Sequence, residues 1–209
     1  MKLLFENLQT YLPEPEELAG QWEIPLIKPT RQVPEDVQCI GFNYAKGHKS
    51  PGDAGVHFFL DDAQFARLWS TPDTYIPLLR KFRYLCAPDF SMYSDMPKVL
   101  QIYNHYRKHW LAAYWQELGL TVIPTISWST PDSFEWCFDG EPENSVVAVG
   151  TAGTQASKAS RAAFMQGYMA MLERLNPCEV LVFGKLPDNL PGNIRHMGDS
   201  IAQRFAKGV

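Results

Sequence analysis

Cysteine is sparse and never paired: Cys39, Cys86, Cys137 and Cys178 each stand more than 40 residues from the next, which argues against a zinc knuckle or a dense disulfide framework. Reduced, mostly buried thiols are the expectation. There is no GxSxG elbow, no Walker loop and no dinucleotide-binding glycine pattern, so serine-hydrolase, P-loop and Rossmann-cofactor chemistry lack their usual signals. No run approaches the ~18 apolar residues of a membrane span. A broad basic surface is also missing, since the formal net charge is -4, and duplex nucleic acid is not an expected partner. Internal repeats, heptads and low-complexity blocks are absent.

What is present describes an ordinary globular protein. The 209 residues are 45% hydrophobic and 20% charged, enough apolar material for one full core. Aromatics reach 13%, which suits core packing and also a sugar or base platform. Before Glu6 the chain shows only the short apolar run Leu3–Phe5, so no secretory leader is read and a cytoplasmic location, in its own cell or in a host, is expected. Prolines at 13, 15, 25, 29 and 34 break any long helix in residues 1–36, which predicts an extended N-terminal arm docked on a single α/β domain of residues 37–209.

Along that domain, apolar runs alternate with helical patterns. Val37–Phe42 ends at Asn43, and the following loop holds Lys46, His48 and Lys49. Val56–Leu60 reads as a strand ending in Asp61 and Asp62, before a helical segment; His57 lies within it and is expected in the core. From Tyr84 a short strand leads to two spaced acids, Asp89 and Asp95, and then to a helix begun by Pro97 and stopped by Gly119. Capping explains Asp95 as well as chemistry does, whereas Asp89 has no such role. Arg107, Lys108 and His109 are read as solvated faces of that helix. Leu120–Ser127 is a strand in which Pro124 predicts a bulge or an edge, and it ends at Trp128. Ser145–Val149 precedes a small-residue turn, Gly150 to Thr154, and a helix over 157–175. Backbone amides of that turn could cradle a phosphate, though a plain βα turn serves equally. Glu179–Phe183 is a further strand, Ile194–Met197 another short one, and the tail to Phe205 is read as helical.

Strands apolar on both faces and separated by helices predict a parallel α/β sheet. A compact or incomplete (β/α) TIM-like barrel of six or seven mostly parallel strands is the first reading, and an open doubly wound parallel sheet the second. Either one gathers the strand exits at one end of the molecule. Asp61 and Asp89 are the candidate working pair there, with Asp62 and Asp95 behind them. Asn43, Asn104, Trp128 and Thr151 are candidate substrate-binding residues, and Glu135 and Asp139 are weaker acids. Paired carboxylates can cleave a glycosidic bond by acid/base work, or can hold Mg2+ or Mn2+, here through Asp61 and Asp89, for phosphoester hydrolysis.

Seven motifs in one order, GFN at 41–43, HFFLDDAQFARLW at 57–69, PDFSMYSDMP at 88–97, QIYN at 101–104, VIPTISWS at 122–129, CFDG at 137–140 and VAVGTAG at 147–153, resemble the family known as domain of unknown function 4417. The resemblance runs from about Ile24 to Gly184 and implies a shared fold and a setting in bacteria, their phages and other mobile elements, but no activity. Two positions depart from its pattern: Gly150 stands where serine is expected and Phe183 where tyrosine is expected. Function therefore divides between a hydrolase using paired aspartates on a small-molecule or polymer substrate and a non-catalytic protein that binds a host protein or single-stranded nucleic acid.

Overall fold

The structure, a computed structural model, describes residues 17–198. The apolar start of the arm and the helical reading of the tail to Phe205 lie outside the described residues.

Two antiparallel pieces, β1 (Leu18–Ala19) and β2 (Ile24–Pro25), come first. Then follow β3 (Gln38–Gly41), the short helix α1 (Phe42–Ala45) and β4 (Ala54–His57). Helices α2 (Arg67–Ser70) and α3 (Pro72–Leu79) lead to β5 (Tyr84–Cys86), the long α4 (Lys98–Glu117) and β6 (Val122–Ile123). The last part is β7 (Val146–Gly150), α5 (Lys158–Leu175), β8 (Glu179–Phe183) and β9 (Ile194–His196).

The result is a mixed α/β fold with two parallel sheets, β3-β4-β5-β6 and β7-β8-β9. One parallel bridge, Thr125 to Ala148, joins them. Pro124 offers no N–H to a ladder, and β6 shrinks accordingly to two residues beside it. The strands stand in chain order with no reversal, so the switch-point crevice of a doubly wound sheet is absent among the described residues, and no barrel is closed.

Period-two alternation explains why the strands are apolar throughout. On β5, Leu85 packs with Phe58, Leu68 and Trp115, whereas Tyr84 and Cys86 turn to a second cluster shared with Cys39, Ile123, Ala148 and Leu181. On β7 and β8, Val147, Val149, Val180 and Val182 face Phe164, Tyr168 and Met171 of α5. The shared cluster thus draws on strands of both sheets and is the inner core.

Segment 28–34 crosses the opposite end of the strands from their exits. The Thr30 hydroxyl donates to Val122 O at 2.7 Å, and Val146 N–H donates to Thr30 O at 2.7 Å, so one residue touches both sheets. Arg195 donates to Pro34 O and Val33 O while making a two-point pair with Glu179 at 2.8 and 2.7 Å.

Three sequence readings need correction. Strand β4 ends at His57, three residues early, because Phe59 N–H turns to His57 Nδ1 and Leu60 N–H to Phe58 O, which leaves Phe59 to Asp61 as loop. Asp95 does not cap α4: the cap position is Pro97, with no side-chain hydrogen bond, and Asp95 is exposed. Lys108 and His109 are not solvated but 1% and 0% exposed, because Ile24–Ile27 and residues 136–141 cover that face of the helix. In α5 the expected start holds, with Ser157 and Ser160 forming a reciprocal cap and Asn176 in the left-handed region at the other end.

Gly55 on β4 is required by the inner core, since a Cβ there would lie 2.3 Å from the Tyr84 ring. Gly55→Ala should cost about 1–3 kcal/mol of stability, the usual penalty for overpacking a filled core. Equilibrium denaturation measures it, and an unchanged midpoint would show that Tyr84 has room to move.

Candidate functional site

A cleft of about 730 Å3 opens at the C-terminal ends of the parallel strands. Four loops and one strand end make it. The turn after β4 brings Phe59, Leu60 and Asp61; the loop after β5 brings Asp89 and residues 91–94. The exit of β6 adds Ile126 to Ser129, including Trp128, the turn after β7 adds Gly150 and Ala152 to Thr154, and β8 ends in Phe183. Ser160, Ala163 and Phe164 of α5 close one wall. A second hollow of about 550 Å3, lined by Gln32, Arg83 and Thr121 among others, lies at the far ends of the strands and holds no acid.

Asp89 is the chemically distinctive residue. By accessible surface it is half-buried, because it lines the cleft, but protein packs around it on every side, and that enclosure governs its proton. Burial raises its pKa from the ordinary 3.8 to about 7; the Lys108 ammonium partly offsets the rise and the Asp62 carboxylate adds to it. The strand exit holds Asp89 in place through its neighbours. Ala87 N–H donates to Ile123 O at 2.8 Å and the buried Thr125 hydroxyl donates to Ala87 O at 2.7 Å.

Asp61 shares the cleft and is exposed at its rim, where Gln64 reaches it only at 3.5 Å. Asp62 points elsewhere. It accepts from Ser91 N–H and from the Ser91 hydroxyl at 2.9 Å, and pairs with Arg107 at 3.6 Å. Arg107 in turn lies 3.7 Å over the Phe90 ring, so Asp62 fastens the β4 and β5 loops to α4. Asn104 does similar work: its amide donates to Ser91 O at 2.6 Å, while Gln101 donates to Tyr93 O and Met96 O. The wall over residues 91–96 is therefore clamped from α4.

Thr151 is buried, its hydroxyl donating to Phe183 O and Lys185 O, and it does not line the cleft. Asn43 and Asp95 are exposed outside it. Glu135 makes an exposed pair with Lys98 at 3.9 Å. Trp128 does face the cleft, with its ring 5.4 Å from Phe164. Gly167 makes that position possible, because a Cβ on α5 there would fall 2.2 Å from the indole nitrogen. Of the predicted residues, the structure brings together Asp61, Asp89 and Trp128.

The family profile described as "Domain of unknown function (DUF4417)" matches residues 16–199. The chain belongs to this family. Among curated proteins, the Gene 1 protein of Mycobacterium phage D29 is 38% identical over 180 residues, covering 86% of this chain and 65% of the relative. The Gene 1 protein of Mycobacterium phage L5 is 36% identical over 170 residues, 81% of this chain and 74% of the relative. The chain thus spans somewhat under two thirds of the D29 protein's length. No solved structure matches it. Among the described residues no helix is long and apolar enough to cross a membrane.

Gly150 and Phe183, where the resemblance led serine and tyrosine to be expected, both line the cleft. A Cβ at Gly150 would lie 3.7 Å from Asp89 Oδ2 but only 2.7 Å from the Phe59 ring, so a side chain there could approach the carboxyl only if that ring moved. Phe183 is packed between Phe59 and His57, with ring centroids 4.6 and 4.9 Å away. Neither residue brings a hydroxyl to the wall beside Asp89, whose raised pKa comes from burial.

A second polar group, not anticipated from sequence, lies behind α4. Lys108 Nζ donates to Glu141 Oε1 at 2.6 Å and to Thr125 O at 2.8 Å, and His105 and His109 flank the same carboxylate. Burial alone would push the Glu141 carboxyl up, but Lys108 and His109 outweigh it and hold the pKa below its ordinary value. The i, i+4 spacing of the two histidines was the available signal.

Folded Asp89 keeps its proton up to about 7 and an unfolded one loses it near 3.8, so stability declines as pH rises through that window and is flat above it. Asp89→Asn should remove the decline. Its unfolding free energy should draw ahead of wild type between about pH 4 and about pH 7, then keep a constant lead. A lead independent of pH would show that Asp89 titrates as an ordinary surface carboxyl.

Proposed function

We propose that the cleft is a hydrolytic active site for a neutral, hydroxyl-rich substrate of the glycoside type, in which Asp89 is the general acid and Asp61 the partner carboxylate. The observation that carries this reading is that Asp61 and Asp89 line one cleft beside Trp128, with Asp89 enclosed enough for burial to push its carboxyl up to about 7, able to donate a proton near neutral pH. The lining supports the substrate class. It contains two carboxyls, five serines, Thr154, Tyr93 and the Trp128 ring, but no Lys, Arg or His. A sugar ring matches that mixture of hydroxyls and an aromatic face. In the reaction Asp89 gives its proton to the leaving oxygen, while Asp61 either attacks the anomeric carbon, giving a glycosyl-enzyme that a water deprotonated by Asp89 then hydrolyses, or itself activates a water, as their separation with substrate bound dictates.

A phosphoester substrate is the weaker fit, because Mg2+ or Mn2+ held by Asp61 and Asp89 would have to supply all the positive charge. The same shortage of cations disfavours single-stranded nucleic acid despite the stacking surface of Trp128. The sequential strand order and the inner core shared by both sheets support a partial (β/α) barrel, whose active sites form at this end of the strands. Phage relatives support action inside an infected bacterial cell, with a host molecule as substrate.

Purified protein assayed against chromogenic aryl glycosides, and in parallel against an aryl phosphodiester with Mn2+, tests the proposal. Glycoside turnover should fall by about 100-fold or more in Asp89→Asn, with the acidic partner exposed in the pH profile. Turnover of the phosphodiester alone, or glycoside turnover indifferent to Asp89, would overturn it.

A further inference from the structure

The buried group behind α4 has a donor geometry that hydrogen bonding leaves incomplete. His105 and His109 stand one turn apart with ring centroids 4.3 Å from each other, both essentially without exposure, and Glu141 reaches them from the segment after Phe138. His105 Nε2 lies 3.0 Å from Asp139 O, and a backbone carbonyl only accepts, so the proton is on Nε2. Nδ1 is then left with its lone pair, and this buried atom has no hydrogen-bond partner. His109 is fixed in the complementary way. Its Nδ1 lies 2.8 Å from Pro25 O and carries the proton, which in the neutral ring leaves the Nε2 lone pair 3.0 Å from Glu141 Oε1, acceptor against acceptor; only a second proton on Nε2 turns that contact into an ion pair. Glu141 Oε2 is also buried without a partner. The three residues each bring a ligand atom within 4.8 Å of the others.

Lone pairs converging in a dry interior are costly unless a cation or a proton sits among them. We propose that His105, His109 and Glu141 form a buried Zn2+ site, with His105 Nδ1, His109 Nε2 and the Glu141 carboxylate as its three protein ligands. Two imidazoles and a carboxylate are a donor set zinc prefers. The carbonyls of Asp139 and Pro25, which hold the outer N–H groups, are the outer-shell partners that orient metal-bound histidines. The site is separate from the cleft and ties three distant pieces of chain together: β2, α4 and the 139–141 turn. Lys108 is the opposing element, since its ammonium on Oε1 competes with the ion for the carboxylate.

The test uses the full chain purified without a histidine tag. Zinc by elemental analysis should be near one equivalent, and chelation should lower the thermal midpoint. Co2+ added to the chelated protein should give the visible absorption of a nitrogen and oxygen site. His105→Ala and Glu141→Gln should lose the cobalt spectrum, whereas Lys108→Gln, freed of the competing charge, should bind Co2+ more tightly than wild type. If a variant fails to fold, the wild-type cobalt titration decides alone. Wild-type protein that retains no zinc, shows no cobalt spectrum and melts identically with and without chelator would overturn the site and leave a metal-free hydrogen-bond network.

Discussion

One buried threonine joins the parts of this fold that chemistry needs. Thr125 is fully buried; its backbone bridges to Ala148 and so links the two sheets, its hydroxyl holds Ala87 at the start of the Asp89 loop, and its carbonyl accepts from Lys108. Pro124 interrupts the ladder immediately before it, which explains why the junction is a single bridge rather than a continued strand. At the other end of the strands Thr30 makes the matching link, from Val122 to Val146. The sheets are thus pinned at two depths by small hydroxyl residues, and between the pins lies the inner core of Tyr84, Cys86, Ile123, Ala148 and Leu181.

Helix α4 transmits that arrangement to the cleft. Its first turns clamp residues 91–96 through Gln101, Asn104 and Arg107, while the next turns bury His105, Lys108 and His109 under the N-terminal segment. A helix covered on so many sides has little amphipathic contrast to display. Its buried ion pair is poor evidence for stability, since desolvation offsets much of the attraction. The pair matters more for direction. Lys108 is the charge that restrains the rise in the Asp89 pKa, so the proton-holding residue of the cleft is coupled to a group on the far side of the sheet junction.

The sequence made the strand exits legible because each ends in a polar residue before a helix start, and this placed Asp61, Asp89 and Trp128 at one end of the molecule. It could not sort the acids further. Asp62 and Asp61 are adjacent, and only the loop at Phe58–Leu60, where the ladder stops early, decides that one faces Ser91 and the other the cleft. Asn104 and Thr151 looked like site residues because they sit beside strand exits, yet backbone groups nearby consume their hydrogen bonds. Lys108 and His109 were misplaced for a tertiary reason. A helical wheel shows charge on a face but not the 24–27 segment that covers it, and that cover comes from residues more than 80 positions away.

Gly150 and Phe183 bear on the Asp89 carboxyl through what they do not offer it. Both line the cleft with Asp89, and neither brings a hydroxyl to it. A carboxylate gains most from donors that reach its charged form, so removing donors favours the protonated acid. The proton would otherwise be lost to the field of Lys108, which acts in the opposite sense. The pKa of Asp89 is therefore a balance between burial, which raises it, and a buried ammonium carried by α4, which lowers it. A carboxyl set from two sides in this way can be shifted through either one, and a side chain at Gly150 would come near Asp89 only if the Phe59 ring, 2.7 Å from the added Cβ, gave way.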